Sequence, residues 1–156
     1  MSNTKEIYLT EAGLEAKKKE LEELKLVRRP EVINALKEAR ALGDLSENAE
    51  YDAARNAQAE VEGKIKEIEL MIDNAIIVKD VDKNKVSIGS TVKIEYVEDQ
   101  DTDVYSIVGS SEADPFENKI SNESPIAKAI LGLTIGDVVE VESPQGKYSV
   151  KVIEIM

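Results

Sequence analysis

Apolar residues recur at helical spacing over residues 11–74 and predict two helices that pack as an antiparallel hairpin. The seam residues are Leu14, Leu21, Leu24 and Val27 in the first helix and Val61, Ile65, Ile68 and Ile72 in the second. Their spacing of three, four or seven residues is typical of a two-stranded coiled coil. Thr10 is predicted to cap the first helix, and Pro30 is expected to cause a kink or short break over residues 27–29.

After residue 80 the pattern changes to the alternation of apolar and polar residues that indicates β-strands. Two examples are the runs Val92-Lys-Ile-Glu-Tyr96 and Tyr148-Ser-Val-Lys-Val152. Ser124-Pro125, followed by IAKAIL and Gly132, predicts a short helix, and Pro144-Gln145-Gly146 predicts a hairpin turn. The predicted fold class is therefore α+β, with an antiparallel two-helix coiled-coil hairpin over residues 1–76 and a small antiparallel sheet with one helix over residues 81–156.

Composition narrows the chemistry that this chain can perform. The 156 residues include no Cys and no His, so thiolate sites are excluded and any bound metal should be a hard cation on oxygen ligands. Aromatic residues make up only 4%, which favours helix seams and a small sheet over an aromatic-lined pocket. The net charge of −12 argues against autonomous binding to nucleic acid or to an anionic membrane. No stretch has the length of a signal peptide or membrane span, so we expect a cytoplasmic protein without a membrane partner.

The segment GDLSENAEYDAAR, residues 43–55, lies between the two predicted helices and concentrates acidic residues at the hairpin tip. Its carboxylates are Asp44, Glu47, Glu50 and Asp52. Asp44 and Glu47 have the spacing of a capping box, which would start the second helix without any chemistry. The same spacing would let two carboxylates converge on one divalent cation. Because Mg²⁺ needs further anionic ligands, such a pair suits a site that a partner completes.

Arg40 and Arg55 flank these acids in the sequence. They could form ordinary helix-surface ion pairs with Glu38, Glu50 or Asp52. Alternatively, their planar guanidinium groups could bind RNA phosphates next to a metal site.

Four segments resemble the bacterial Gre family of transcript cleavage factors, and the resemblance covers nearly the whole chain. They are VRRPEVINALKEAR, GDLSENAEYDAAR, EGKIKEIELMIDNA and the C-terminal NKISNESPIAKAILGLTIGDVVEVESPQGKYSVKVIEI. The resemblance implies an FKBP-like C-terminal domain and a hairpin that enters the secondary channel of RNA polymerase. Asp44 and Glu47 match the family's tip acids, which help to hold Mg²⁺ jointly with the polymerase. Arg40 and Arg55 match its basic positions near the 3′ end of the transcript.

The resemblance implies that the polymerase itself cuts backtracked RNA and that the factor is not an enzyme alone. The isolated chain, expected to be a monomer, would then hold no cofactor and would meet RNA only within the complex. Ser124, Pro125 and Ile126 are expected to contribute to docking on the polymerase. Three alternatives are a channel-binding inhibitor of the same fold, a peptidyl-prolyl isomerase or chaperone, and a coiled-coil adapter. The intact tip acids argue against the first, the scarcity of aromatic residues against the second, and the acidic tip against the third.

Overall fold

The computed structural model describes residues 6–43, 49–79 and 81–156, which form two compact units. The hairpin unit is Leu14–Asn74, and the globular unit combines the N-terminal residues up to Gly13 with Ala75–Met156. Residues 6–13 therefore pack with the globular unit, although they fall within the predicted hairpin range of residues 1–76. The reason is strand pairing: β1 (Tyr8–Thr10) pairs in parallel with β2 (Ile76–Val78), and Leu9 is fully buried.

Four helical segments cover residues 11–41 and 49–74. These are α1 (Glu11–Glu23), a π-helical segment (Leu24–Arg28), α2 (Arg29–Ala41) and α3 (Ala49–Asn74). The hydroxyl of Thr10 accepts a hydrogen bond from the Gly13 N–H at 3.0 Å, which confirms the predicted cap. None of the described helices is both long enough and apolar enough to cross a membrane.

The predicted seam holds the hairpin together by apolar burial. Val32, Val61 and Ile65 are buried in one cluster, and Leu21, Leu24 and Ala57 pack against it. Two ion pairs join the helices at the surface: Lys25 to Glu69 at 2.6 Å, and Arg29 to both carboxylate oxygens of Glu62 at 2.7 and 2.9 Å. The hydrogen bond from Lys25 lowers the pKa of the Glu69 carboxyl. These contacts fix the antiparallel register of the two helices.

The helix continues through residues 24–30 without the break that Pro30 could cause, and a π-helical turn precedes the proline. Proline has no N–H, and its ring crowds the carbonyl group four residues earlier. The chain accommodates it through a wider turn in which the Arg29 N–H donates to the Leu24 carbonyl. The wider turn rotates Leu26 and Val27 outward, leaving them 67% and 47% exposed. The predicted position of Val27 in the seam is therefore wrong.

The globular unit contains a five-stranded sheet with the order β5-β4-β3-β7-β6. Its strands are β3 (Thr91–Tyr96), β4 (Thr102–Val108), β5 (Lys119–Ser121), β6 (Val138–Ser143) and β7 (Gly146–Ile155). The pairs β3–β4, β3–β7 and β6–β7 are antiparallel, but β4–β5 is parallel, so the sheet is mixed rather than antiparallel. Two 3₁₀ turns, Ser110–Glu112 and Pro115–Glu117, let the chain return beside β4 in the same direction.

A short helix, α4 (Pro125–Ile130), packs on this sheet and confirms the predicted one. The Ser124 hydroxyl accepts from the Ala127 N–H at 3.3 Å, and Gly132 follows the helix with φ +86°. Ala127 and Ile130 are buried in the same core as Val92, Ile94, Val150 and Val152. The predicted β6–β7 hairpin is also present, with Pro144 and Gln145 as its turn.

Gly109 is required because the backbone of β1 passes against it. A Cβ atom at this position would overlap the carbonyl group of Tyr8. We therefore expect Gly109→Ala to lower the free energy of unfolding by about 1–3 kcal/mol, the usual cost of overpacking. Gly63→Ala is the matched control, because a Cβ at Gly63 in α3 meets nothing within 4 Å. That change should stabilise the protein by about 0.5–1 kcal/mol. Denaturant unfolding measures both, and equal effects would contradict the role of Gly109.

Candidate functional site at the hairpin tip

The last turn of α2 shows how the sequence ends this helix. The Leu42 N–H donates to the Ala39 carbonyl and the Gly43 N–H to the Arg40 carbonyl, each at 3.2 Å. Gly43 then adopts φ +96°, a left-handed conformation that glycine reaches without strain. Arg40 lies in this last turn with its side chain exposed. A cation at a helix C-terminus is favourable, because it faces the negative end of the helix dipole.

The first described turn of α3 carries the remaining acids of the tip. Glu50 and Asp52 lie in this turn, both exposed, and complement the positive end of the helix dipole. Asp44 and Glu47, the predicted metal ligands, lie outside the described residues. Within residues 6–43, 49–79 and 81–156, no group of three or more acidic side chains could hold a metal ion.

Arg55 and Arg40 remain exposed cations at the described part of the tip. The guanidinium carbon of Arg55 lies 5.9 Å from the centre of the Tyr51 ring, a cation–π distance. Among the described residues, neither arginine forms an ion pair with Glu38 or Asp52. Both guanidinium groups are exposed at the described part of the tip.

Small side chains line the groove between α2 and α3 near the tip. The groove encloses about 540 Å³, and its lining residues are Ala35, Glu38, Ala39, Leu42, Glu50, Ala53 and Ala54. Four of these are alanines, whose side chains add little to the width of the helix pair. The end of the hairpin is therefore narrow and carries charged side chains at its margin.

Ser124, Pro125 and Ile126, the predicted docking residues, lie together at the start of α4. The Ser124 hydroxyl donates to the Ser121 carbonyl at 2.8 Å in addition to capping α4. Ile126 packs against the core, whereas Pro125 is exposed. Two of the three residues thus have structural roles, and Pro125 is the one that offers a free surface.

The globular unit contains a cluster of tyrosines that the sequence pattern did not predict. Tyr96, Tyr105 and Tyr148 are three of the five tyrosines, and all three pack against the same core. The low aromatic content predicted no aromatic-lined pocket, and this cluster contradicts that expectation. The alternation in β3 and β7 placed Tyr96 and Tyr148 on the inner faces of their strands. Their proximity depends on strand pairing, which the alternation alone does not determine.

Two family profiles together match nearly the whole chain. The profile described as "Transcription elongation factor, N-terminal" matches residues 7–77, and the profile described as "Transcription elongation factor, GreA/GreB, C-term" matches residues 81–156. The chain belongs to the GreA/GreB family of transcription elongation factors. This assignment agrees with the resemblance in the tip segment and in the C-terminal strands.

Full-length relatives support a GreA-type member of this GreA/GreB family. The chain is 51% identical to transcription elongation factor GreA of Halalkalibacterium halodurans, with 99% of each chain covered. It is 52% identical to GreA of Thermoanaerobacter pseudethanolicus, over 97% of this chain and 98% of the relative. The crystal structure of GreA factor homolog 1 from Thermus thermophilus is 29% identical over 97% of this chain and 99% of that chain, with a TM-score of 0.45. The family assignment rests on the sequence matches.

Proposed function

We propose that this elongation factor inserts its hairpin tip into the secondary channel of RNA polymerase and stimulates the polymerase's own cleavage of backtracked RNA. The observation that carries the proposal is the place of GDLSENAEYDAAR in the sequence, which joins the two helices α2 and α3 of a hairpin in a GreA/GreB chain. The 26 residues of α3 span about 39 Å at a rise of about 1.5 Å per residue. That length suits delivery of charged groups into a deep channel.

The chemistry of the tip suits a site that is shared with the polymerase. Asp44 and Glu47 would supply carboxylate ligands to Mg²⁺ and would orient a water molecule. Carboxylate oxygens are ligands that Mg²⁺ prefers, but two are too few to hold it firmly. When bound, the ion would help to generate the nucleophile for phosphodiester hydrolysis. We expect the polymerase to supply the remaining ligands, so the chain would not act as a nuclease alone.

Arg40 and Arg55 would bind phosphates of the transcript near its 3′ end. Both are exposed, and the guanidinium group of Arg55 lies beside the Tyr51 ring. The net charge of −12 disfavours binding of free RNA, so these contacts would form only inside the complex. The globular unit would dock outside the channel through the surface around Pro125. Docking would raise the local concentration of the tip in the channel.

The test uses purified polymerase stalled in backtracked complexes that carry end-labelled RNA. Adding this protein with Mg²⁺ should release short 3′ fragments and restore elongation. Polymerase alone should cleave much more slowly, and the protein with free RNA should release nothing. Binding without faster cleavage would contradict the proposal and favour the channel-binding inhibitor.

Arg55→Ala should reduce stimulated cleavage most when the RNA is backtracked by several nucleotides, because such RNA presents more phosphates beyond the active centre. We expect a loss of about tenfold on such complexes, since a charge-assisted contact contributes about 1.5–3 kcal/mol. Arg28→Ala is the matched control, because Arg28 pairs with Glu31 on the hairpin far from the tip. It should change cleavage less than about twofold. Equal losses for both variants would show that Arg55 has no specific contact with the transcript.

A further inference from the structure

The tyrosine cluster lies on the inner face of the sheet in the globular unit. Tyr105 lies opposite Val92 in the β3–β4 pair, and Asp103 lies opposite Ile94. Directly paired residues project to the same face, so both side chains lie on the face of the buried core. Tyr96 follows Ile94 by two residues and therefore projects to the same face.

Asp103 fixes the orientation of two of these rings. Its carboxylate accepts hydrogen bonds from the Tyr96 hydroxyl at 2.8 Å and from the Tyr105 hydroxyl at 3.3 Å, and the two hydroxyl oxygens are 3.1 Å apart. Burial and these hydrogen bonds raise the pKa of Tyr96 well above its usual range, so the phenol stays neutral. The ring of Tyr96 is therefore held in place before any ligand arrives.

A cavity of about 310 Å³ opens beside these rings, between the β3–β4 and β6–β7 turns. We call it the tyrosine pocket, and it is lined by Tyr96, Glu98, Asp99, Gln145, Tyr148 and Ser149. The rings of Tyr96 and Tyr148 are tilted by 49°, with centroids 5.9 Å apart. The carboxylates of Glu98 and Asp99 are exposed at its margin, and no described residue forms an ion pair with either.

Aromatic faces next to unpaired carboxylates recognise an organic cation. A guanidinium group stacks on a tyrosine ring and can also donate hydrogen bonds to carboxylates. Phosphate or nucleic acid would be repelled by Glu98 and Asp99, and an apolar ligand would gain no attraction from these carboxylates. The volume lies at the low end of the range for small-molecule sites, which suits a single side chain.

We propose that the tyrosine pocket binds an arginine side chain of RNA polymerase when the globular unit docks. This inference rests on the proposed function and names a specific contact within it. Charge complementarity favours a basic occupant, because the chain as a whole carries a net charge of −12. Ile126, in the predicted docking segment, packs against the same core as the three tyrosines.

The test measures the dissociation constant of full-length variants with polymerase core enzyme over a series of salt concentrations. Tyr148→Leu removes the aromatic face and should weaken binding about tenfold, whereas Tyr148→Phe keeps the face and should bind like the wild type. The double variant Glu98→Gln/Asp99→Asn should also weaken binding about tenfold and should reduce its salt dependence. Thermal unfolding of each variant shows whether the fold is retained.

The charge-matched control is the double variant Glu140→Gln/Glu142→Gln. These two acids lie on β6 and pair with Lys147, outside the tyrosine pocket. The control should bind within about twofold of the wild type. Equal weakening by both double variants would indicate a general charge effect, and unchanged binding of the pocket variants would exclude the contact. Either result would overturn the inference.

Binding and cleavage by the wild-type protein test the proposed function, whereas binding by the pocket variants tests the tyrosine pocket. If the wild-type protein binds polymerase and stimulates cleavage while the pocket variants bind equally well, only the tyrosine pocket is wrongly assigned. If the wild type does not bind polymerase, the proposed function fails and the inference fails with it. If Tyr148→Leu and Tyr148→Phe both fold but both bind polymerase weakly, the hydroxyl group of Tyr148 makes the contact and not its ring. That result would also overturn the inference.

Discussion

Asp44→Asn and Glu47→Gln should each lower the rate of stimulated cleavage by about 100-fold or more at saturating protein. Each change removes a negative charge but keeps the shape of the side chain. A metal-bound site stabilises the transition state by several kcal/mol, and about 2.7 kcal/mol corresponds to 100-fold. Binding to polymerase should change less than about twofold, because the proposed contact area lies on the hairpin surface and the globular unit and not at these two acids. The measurement is the cleavage rate of backtracked complexes as a function of protein concentration.

Asp52→Asn is the matched control for these two changes. It removes the same charge from an exposed tip acid in the first turn of α3. It should leave the maximal cleavage rate within about twofold, because it affects only the helix dipole, a contribution of about 0.3–1 kcal/mol to stability. If Asp44→Asn and Glu47→Gln lost binding in proportion to activity, the two acids would act in capping the helix and not at the metal.

Shortening the hairpin by one heptad in each helix should abolish stimulated cleavage while the tip segment itself stays intact. Residues 31–37 and 56–62 are suitable for deletion, because Val32 and Val61 pack in the same buried cluster. Removing seven residues from each side preserves the seam pattern and withdraws the tip by about 10 Å. Reacting atoms must lie about 3–3.5 Å apart, so a loss of at least about 100-fold is expected. Cleavage rates and polymerase affinity are measured together.

The control for shortening is the double variant Arg29→Glu/Glu62→Arg. It reverses an ion pair in the same part of the hairpin without changing its length. Cleavage should remain within about twofold of the wild type, because an exposed pair contributes about 1 kcal/mol or less. If the shortened protein remains helical by circular dichroism and still stimulates cleavage at the wild-type rate, the length of the hairpin does not determine the activity.

The sequence predicted those elements whose signals are local. Leu21, Leu24, Val61 and Ile65 share a seam because side chains three, four or seven residues apart lie on one helix face. The capping roles of Thr10 and Ser124 were likewise predictable, since each hydroxyl bonds an N–H only three residues away.

Features that depend on distant parts of the chain were not predictable from the same patterns. The pairing of β1 with β2 joins residues 8–10 to residues 76–78, and β5 pairs in parallel only because two 3₁₀ turns precede it. A proline can cause either a break in the helix or a wider helical turn. The π-helical turn before Pro30 was therefore not predictable from the proline alone. The tyrosine pocket depends on the register of β3, β4 and β7. Of the candidate site, Arg40 and Arg55 are exposed on α2 and α3. Their contact with RNA and the roles of Asp44 and Glu47 remain predictions.

We propose that the hairpin tip lies next to the 3′ end of the transcript in the backtracked complex. Cross-linking inside that complex tests this position most directly. A photoreactive amino acid replaces Leu42, which is 65% exposed at the end of α2, or Leu26, which is 67% exposed in the π-helical segment. The two positions match in exposure but differ in their distance from the tip. We predict that position 42 cross-links to the 3′ segment of the transcript and that position 26 does not. Cross-links from position 42 to the outer surface of the polymerase alone, in complexes that are actively stimulated, would contradict the account.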